Sequence, residues 1–168
     1  MNFFREDLRG IRAFAFDVDG VLSTNELTLH PAGDMMRTVN TRDGFAIRKA
    51  INEGFKIAII TGAESESLRK RFGDLGTGDI FLGSTDKVKD LLSFTQKWGI
   101  DQAQILYMGD DIPDLEVMQI VGLPTCPSDA VSEILAISRY ISTYPGGHGC
   151  VRDVIEQVLR SQGYWNFT

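Results

Sequence analysis

The sequence is poor in cysteine, with two among 168 residues, and in proline, with five. Cys126 and Cys150 are too few for the dense disulfide framework of a small secreted domain, so we interpret them as free thiols packed in a cytoplasmic protein. No apolar run approaches the roughly 20 residues that a membrane-spanning helix needs. No secretory leader pattern precedes the first motif either. The sequence therefore predicts a cytoplasmic chain that folds without disulfides.

Positive charge is also scarce, because 17 basic residues face 23 acidic ones and leave a formal charge of −6. This balance argues against a nucleic-acid partner, which would require a basic surface. With 43% hydrophobic and 24% charged residues, the composition is that of an ordinary soluble domain. The length suits one core, so we predict a single domain over residues 1–168.

Short apolar runs alternate with helical patterns along the chain. Continuous apolarity is typical of strands that are covered on both faces of a parallel sheet. The alternation predicts βαβ units and hence an α/β fold with a doubly wound, mostly parallel sheet. The predicted strands are residues 11–16, 56–60, 80–82 and 105–108, with weaker ones at 122–124 and 140–141. The predicted helices are residues 43–53, 64–72, 87–98, 113–121 and 151–159.

Two segments depart from this alternation. Residues 22–40 contain two short extended stretches around a Pro-Ala-Gly turn, which predicts a β-hairpin inserted after the first strand. This hairpin is too small to form a lid domain. The tail at residues 162–168 carries three aromatic residues and follows the last predicted helix.

Polar residues follow several predicted strands, where open parallel sheets bind ligands. The first strand ends in DVDG at residues 17–20, the second in Thr61-Gly62, and a later one in GDDIPD at residues 109–114. The carboxylates of this cleft would repel each other by several kcal/mol unless a cation compensates them. Oxygen ligands with positions left for substrate match Mg²⁺. The carboxylates concerned are Asp17, Asp19, Asp110 and Asp111, with Asp114 close by.

These residue types suit phosphoryl transfer. Asp17 can act as a nucleophile on phosphorus, and Asp19 can exchange a proton with the leaving group. Thr61 and the amides around Gly62 and Gly20 can donate hydrogen bonds to phosphate oxygens, while Lys87 adds a fixed positive charge. Each motif alone has a plainer interpretation, since DVDG could be an Asp-rich turn and Lys87 a solvated helix residue. It is their order along the strand ends that favours catalysis.

In this order and at these spacings, the motifs resemble those of the haloacid dehalogenase superfamily of phosphatases. The match covers residues 11 to about 120. Within that superfamily, the hairpin in place of a cap, NTRDG at residues 40–44 and GGHG at residues 146–149 resemble the small capless sugar-acid phosphatases, among them the 3-deoxy-D-manno-octulosonate 8-phosphate phosphatases. With these features the resemblance extends over nearly the whole chain.

The resemblance implies a Mg²⁺-dependent phosphoric monoester hydrolase acting on a phosphorylated sugar acid, with a role in lipopolysaccharide biosynthesis. Asp17 would be the nucleophile and Asp19 the general acid/base, with Thr61 and Lys87 binding phosphate. Mg²⁺ would be held by the Asp17 carboxylate, the Asp19 carbonyl and Asp110, and Asp111 and Asp114 would lie around it. The resemblance also implies a homotetramer in which neighbouring subunits close each site, with the tail at residues 162–168 contributing.

Two positions depart from the pattern of these phosphatases. Ala63 stands where they commonly carry Arg or Glu after the Thr-Gly pair, and His148 stands where they usually carry a long charged residue. Substrate contact is therefore expected from His148 and Arg42, with Arg69 as another source of charge. A turn residue and a surface charge are the plainer interpretations of His148 and Arg42.

Two alternative functions stay open at this point. One is a phosphatase acting on a nine-carbon, sialic-type acid 9-phosphate. The other is a receiver-like module that accepts phosphate without turnover, which would have no need of Asp19 as an acid/base.

Overall fold

The computed structural model describes residues 3–167 and has a central sheet of six parallel strands with helices on both faces. The predicted fold class is therefore confirmed. In chain order the strands are β1 Ala13–Phe16, β2 Thr28–Leu29, β3 Met35–Met36, β4 Lys56–Ile60, β5 Asp79–Phe81, β6 Ile105–Met108, β7 Leu123–Cys126 and β8 Tyr140–Ile141. The helices are α1 Phe3–Gly10, α2 Thr41–Asn52, α3 Glu66–Asp74, α4 Lys87–Trp98, α5 Leu115–Gln119, α6 Ser132–Ile137 and α7 Cys150–Ser161. Short 3₁₀ turns occupy Gln102–Gln104 and Ile112–Asp114.

The sheet has the strand order β5-β4-β1-β6-β7-β8, which places β1 at its centre. β1 pairs in parallel with β4 on one side and β6 on the other, so that Phe14 lies opposite both Ile57 and Leu106. All four residues of β1 are fully buried. The uninterrupted apolar run of this strand thus reflects cover on both faces.

Alternate side chains of β1 enter the two hydrophobic layers. Phe14 and Phe16 pack in the layer that contains residues of α1, α2, α3 and α7. Ala13 and Ala15 face the other layer, which α4, α5 and α6 cover. The period of two along a strand produces this division, and the alanines share their layer with Phe94 of α4.

The segment between β1 and α2 forms the predicted hairpin. β2 and β3 pair antiparallel, with Thr28 opposite Met36, and form a separate two-stranded sheet. Both short strands are exposed. No described helix has both the length and the apolar character needed to cross a bilayer.

Candidate active site

The polar residues that follow the central strands lie close together at one edge of the sheet. Asp17 follows β1, Thr61 follows β4, and Asp110 lies two residues after β6. Because β1 lies between β4 and β6 in a parallel arrangement, the ends of these strands adjoin. This is the edge at which open α/β sheets bind ligands.

Asp17 is largely buried, with 8% of its surface exposed. Its Oδ1 accepts a hydrogen bond from the Val18 amide at 2.7 Å, and its Oδ2 lies 3.1 Å from the Lys87 ammonium nitrogen. Burial raises the pKa of Asp17, the negative charge of Asp114 adds to this effect, and Lys87 opposes it. The carboxylate is thus held in place by one amide and one cation.

Lys87 connects Asp17 to a second, deeper carboxylate. Its ammonium group donates to Oδ1 of Asp114 at 2.7 Å. Asp114 is fully buried and also accepts hydrogen bonds from the Tyr107 hydroxyl at 2.8 Å and from the Asp110 amide at 3.1 Å. Burial acts to lower the pKa of Lys87, but the two carboxylates outweigh it and the pKa is raised. Lys87 therefore remains a cation although it is buried.

Three carboxylates form a group suited to a hard cation. Oxygens of Asp17, Asp110 and Asp114 all lie within 4.8 Å of one another. Within residues 3–167, Oδ1 of Asp110 is a buried side-chain atom without a hydrogen-bond partner. Burial, and then the charges of Asp17 and Asp114, raise the pKa of Asp110 to about 8. A cation would relieve both the repulsion and the unsatisfied oxygen, so the donor set fits Mg²⁺.

Gly20 is part of the same arrangement. It has a φ of +84°, and a Cβ at this position would come within 1.9 Å of Oδ2 of Asp110. Any side chain here would therefore displace Asp110 as well as strain the backbone. The glycine of the DVDG motif is explained by this close approach.

Asp19 lies at the rim of the site and contacts the hairpin. Both of its carboxylate oxygens accept from Arg37, Oδ1 from Nε at 2.5 Å and Oδ2 from Nη2 at 3.0 Å. The Ser23 hydroxyl lies 3.3 Å from Oδ1. The Arg37 side chain is 7% exposed, whereas that of Asp19 is 35% exposed.

Thr61 and Gly62 continue from β4 into the loop that leads to α3. Thr61 is buried, and its hydroxyl oxygen accepts from the Ala63 amide at 3.2 Å. Its own amide donates to the Phe81 carbonyl at 3.0 Å, which fixes the loop against β5. Gly62 is exposed.

Arg42 and His148 line a common cavity of about 440 Å³, together with residues of α7 such as Arg152. The loop that carries His148 packs on the loop after β1, since the Gly147 amide donates to the Val21 carbonyl at 2.8 Å. Arg69 lies elsewhere, beside Ile80 in another cavity.

Asp111 does not join the carboxylate group. It is exposed, and its Oδ1 accepts from the Ile112 amide at 2.7 Å, which caps the 3₁₀ turn at Ile112–Asp114. The third aspartate of the motif, Asp114, reaches the interior instead because this turn directs it back under Gly109.

The C-terminal tail packs on its own chain. Trp165 is 6% exposed and meets Phe45 of α2 edge to face, with ring centroids 6.1 Å apart. Phe167 is exposed but lies 5.3 Å from the Trp165 ring, between centroids.

The sequence patterns do not point to two residues of the site. Tyr107 lies in the apolar run of β6, where a buried hydroxyl requires a hydrogen-bond partner. Arg37 is the one charged residue in the MMRTV stretch at residues 35–39. A charge within an apolar stretch was the available signal, but it does not say which carboxylate the side chain meets.

The fold and the site together define a class of protein: an α/β phosphohydrolase with a group of aspartates at the ends of its central strands. The sequence model for haloacid dehalogenase-like hydrolases matches residues 76–152. The chain belongs to the haloacid dehalogenase superfamily and, within it, to the family of 3-deoxy-D-manno-octulosonate 8-phosphate phosphatases.

Known relatives cover most of the chain. The phosphatase KdsC of Escherichia coli K12 is 33% identical over 153 residues, which is 91% of this chain and 81% of that protein. The crystal structure of the Moraxella catarrhalis phosphatase with a magnesium ion, a phosphate ion and a KDO molecule is 34% identical, with a TM-score of 0.93 over 97% of this chain and 94% of that one. A cobalt-bound enzyme from Haemophilus influenzae has a TM-score of 0.90 at 29% identity, covering 94% and 92% of the two chains.

Proposed function

We propose that this protein is a Mg²⁺-dependent phosphatase that converts 3-deoxy-D-manno-octulosonate 8-phosphate into the free sugar acid and phosphate, within one catalytic domain. One observation carries the proposal: the Asp17 carboxylate lies 3.1 Å from Lys87 and in one group with Asp110. A nucleophile is thus positioned beside a fixed cation and a candidate metal ligand. The magnesium and KDO complex of the Moraxella relative supports the same assignment.

In the first half-reaction, an oxygen of Asp17 attacks phosphorus and the bond from phosphorus to the ester oxygen breaks. Asp19 donates a proton to that ester oxygen, so the sugar acid leaves as an alcohol. Asp17 then carries the phosphoryl group as an acyl phosphate. The hydrogen bond from the Val18 amide to one carboxylate oxygen limits the rotation of this side chain.

In the second half-reaction, a water molecule attacks the phosphorus of the acyl phosphate. Asp19 takes a proton from this water, and the bond between phosphorus and the Asp17 oxygen breaks. Phosphate is released and Asp17 regains its carboxylate. Asp19 ends with the proton it gave up, so the enzyme is unchanged after one cycle.

The remaining residues stabilise the transferring phosphoryl group. Lys87 is a buried cation beside Asp17. Thr61 and Gly62 directly follow β4, and we propose that the Thr61 hydroxyl and the Gly62 amide donate to phosphate oxygens. Asp17, the Asp19 carbonyl and Asp110 would hold Mg²⁺. When bound, the ion supplies Lewis-acid stabilisation of the negative charge shared by carboxylates and phosphate.

The sugar acid has a carboxylate that needs a positive partner. Arg42 and His148 lie in one cavity, into which the exposed Arg42 side chain contributes positive charge. We propose that these two residues bind the substrate carboxylate, which compensates for the uncharged Ala63.

Phosphate release from the purified protein tests the proposal directly. With Mg²⁺, 3-deoxy-D-manno-octulosonate 8-phosphate should be hydrolysed, Asp17→Asn should abolish turnover, and Asp19→Asn should lower kcat about 100-fold or more. Asp74→Asn, an exposed aspartate that pairs with Lys70, is the matched control and should behave as wild type. Binding of the substrate without turnover would refute the proposal and favour a receiver-like module.

The same assay separates the alternative substrate. The ratio of kcat/KM for the eight-carbon and nine-carbon acid phosphates measures the preference. We expect the eight-carbon compound to be preferred, because the match to its phosphatases covers nearly the whole chain.

We further propose a homotetramer in which neighbouring subunits cover the hairpins. Exposed apolar side chains on this segment support an interface, since Leu29 is 74% exposed and Met35, Met36 and Val39 are exposed as well. Light scattering during size-exclusion chromatography should give four times the 18.7 kDa chain mass. Leu29→Lys should lower that mass if the hairpin forms the interface.

A cytoplasmic location is part of the proposal. Cys126 and Cys150 are both buried, free thiols, which suits a reducing compartment. Fractionation of cells that express the protein should recover it with the cytoplasmic enzymes.

A further inference from the structure

Arg37 forms an ion pair with Asp19, the residue that transfers protons in the proposed reaction. Its Nε and Nη2 contact the two oxygens of Asp19 at 2.5 and 3.0 Å, which is the side-on, bidentate geometry of the strongest arginine–carboxylate pairs. Its remaining nitrogen, Nη1, donates to the Met35 carbonyl at 2.9 Å. All three nitrogens of the guanidinium group are therefore engaged.

The pair joins two separate parts of the chain. Asp19 belongs to the loop after β1, whereas Arg37 follows β3 on the returning arm of the hairpin. The Arg37 side chain is 7% exposed, so the guanidinium group has little freedom to move in water. A surface ion pair would be screened and mobile, but this one is enclosed on the arginine side.

The Asp19 side chain would otherwise have few fixed contacts. It is 35% exposed, and within residues 3–167 its other side-chain hydrogen bond is the long one from Ser23 at 3.3 Å. A short carboxylate side chain with two rotatable bonds needs such contacts to stay within reach of a reacting oxygen. The two hydrogen bonds from Arg37 are the main contacts that hold the Asp19 side chain.

We propose that Arg37 is a positioning residue: it fixes the Asp19 side chain by pairing with the carboxylate that exists between the two proton transfers, and thereby makes proton transfer depend on the hairpin. This inference rests on the proposed phosphatase function. It assigns the hairpin a part in the chemistry, in addition to any part in assembly. Because Arg37 acts through Asp19, its loss should affect kcat more than KM.

The test is a double-mutant cycle measured by Mg²⁺-dependent phosphate release. Arg37→Ala should lower kcat on the sugar-acid phosphate about tenfold with KM within about twofold, and Arg37→Lys should recover part of the loss. In the Asp19→Asn background, Arg37→Ala should cause no further loss. Arg48→Ala removes an exposed arginine that contacts the Asp74 carbonyl, and this control should leave kcat unchanged.

The identity of the leaving group gives a second measure. p-Nitrophenyl phosphate has a good leaving group that needs little proton donation, so Arg37→Ala should lower its kcat less than that of the sugar-acid phosphate. A structural defect would lower both rates equally and would also persist in the Asp19→Asn background. Either result would overturn the inference.

The remaining outcomes are also decisive. A large rise in KM with kcat unchanged, kept in the Asp19→Asn background, would show that Arg37 binds substrate and would overturn its positioning role. An active wild-type enzyme whose Arg37→Ala variant keeps full kcat would overturn this inference alone. A wild-type protein inactive on every phosphate ester would refute the proposed function, and the inference with it.

Discussion

Replacing Tyr107 with phenylalanine tests whether the deep hydrogen-bond network supports the active site. Tyr107 is fully buried in β6, and its hydroxyl donates to Oδ1 of Asp114 at 2.8 Å. The substitution removes one oxygen atom and leaves the ring in its packing site. Lys87 and the Asp110 amide continue to donate to Asp114.

The expected magnitude follows from this arrangement. A hydrogen bond to a charged group contributes about 1.5–3 kcal/mol. The same Asp114 oxygen keeps its bond from Lys87, so the carboxylate is not left without donors, and the lower end of that range applies. We therefore expect Tyr107→Phe to reduce the free energy of unfolding by about 1.5 kcal/mol, which corresponds to a fall in Tm of about 3–6 °C for a chain of this length.

Urea denaturation of the wild type and two variants measures this effect. Tyr164→Phe is the matched control, because Tyr164 is 42% exposed in the tail and loss of its hydroxyl should change stability by less than about 0.5 kcal/mol. Since Lys87 keeps its contact with Asp17, kcat of Tyr107→Phe should fall by less than tenfold. Equal stabilities for Tyr107→Phe and Tyr164→Phe would refute the proposed role of the network.

Two further predictions follow from buried carboxylates outside and inside the site. Burial raises the pKa of Asp43 to about 6, against the opposing hydrogen bond from the Arg152 amide. Since this folded-state pKa lies above the ordinary value of about 3.8, Asp43 favours the folded state at low pH, and that contribution is lost as pH rises through about 6. The wild type should therefore lose up to about 3 kcal/mol of its free energy of unfolding between pH 4 and pH 7 relative to Asp43→Asn, which has no carboxyl group at this position. Parallel plots of the free energy of unfolding against pH for the two proteins would contradict the raised pKa of Asp43. Gly20→Ala should raise the Mg²⁺ concentration needed for half-maximal activity more than tenfold, because its Cβ would displace Asp110. Unchanged Mg²⁺ activation in a folded variant would show that Asp110 does not need its present position.

The sheet can be predicted from the sequence because each of its strands is a short run of apolar residues. β4, β6 and β8 lie where the apolar runs place them, and α4 has the predicted bounds. The prediction lacks two helices, α1 and α6. α6 has six residues, too short for a helical period to stand out from the surrounding sequence.

For the site as well, residues next to a strand end can be predicted from the sequence, whereas contacts between distant segments cannot. Asp17 and Thr61 were identified because each directly follows a strand, and parallel strands in a sheet bring such positions together. The pairing of Asp19 with Arg37 cannot be predicted in this way, because the two residues are 18 positions apart and meet only through the path of the hairpin. The sequence predicts a place near the metal for Asp111, which directly follows Asp110 in the same motif. In the structure, the 3₁₀ turn exposes Asp111 and buries Asp114.

The arrangement of charges explains why an acidic site can accept a phosphate. Lys87 and Asp114 form one compensated pair below the strand ends, and Arg37 and Asp19 form another at the rim. Lys87 also contacts Asp17, so the three carboxylates of Asp17, Asp110 and Asp114 share one ammonium charge, and the two negative charges left over equal the charge of one divalent cation. A site loaded in this way is close to neutral, so a phosphate dianion meets the hydrogen-bond donors of the strand ends instead of net repulsion. The overall charge of −6 therefore describes the protein surface and does not set the preference of this site.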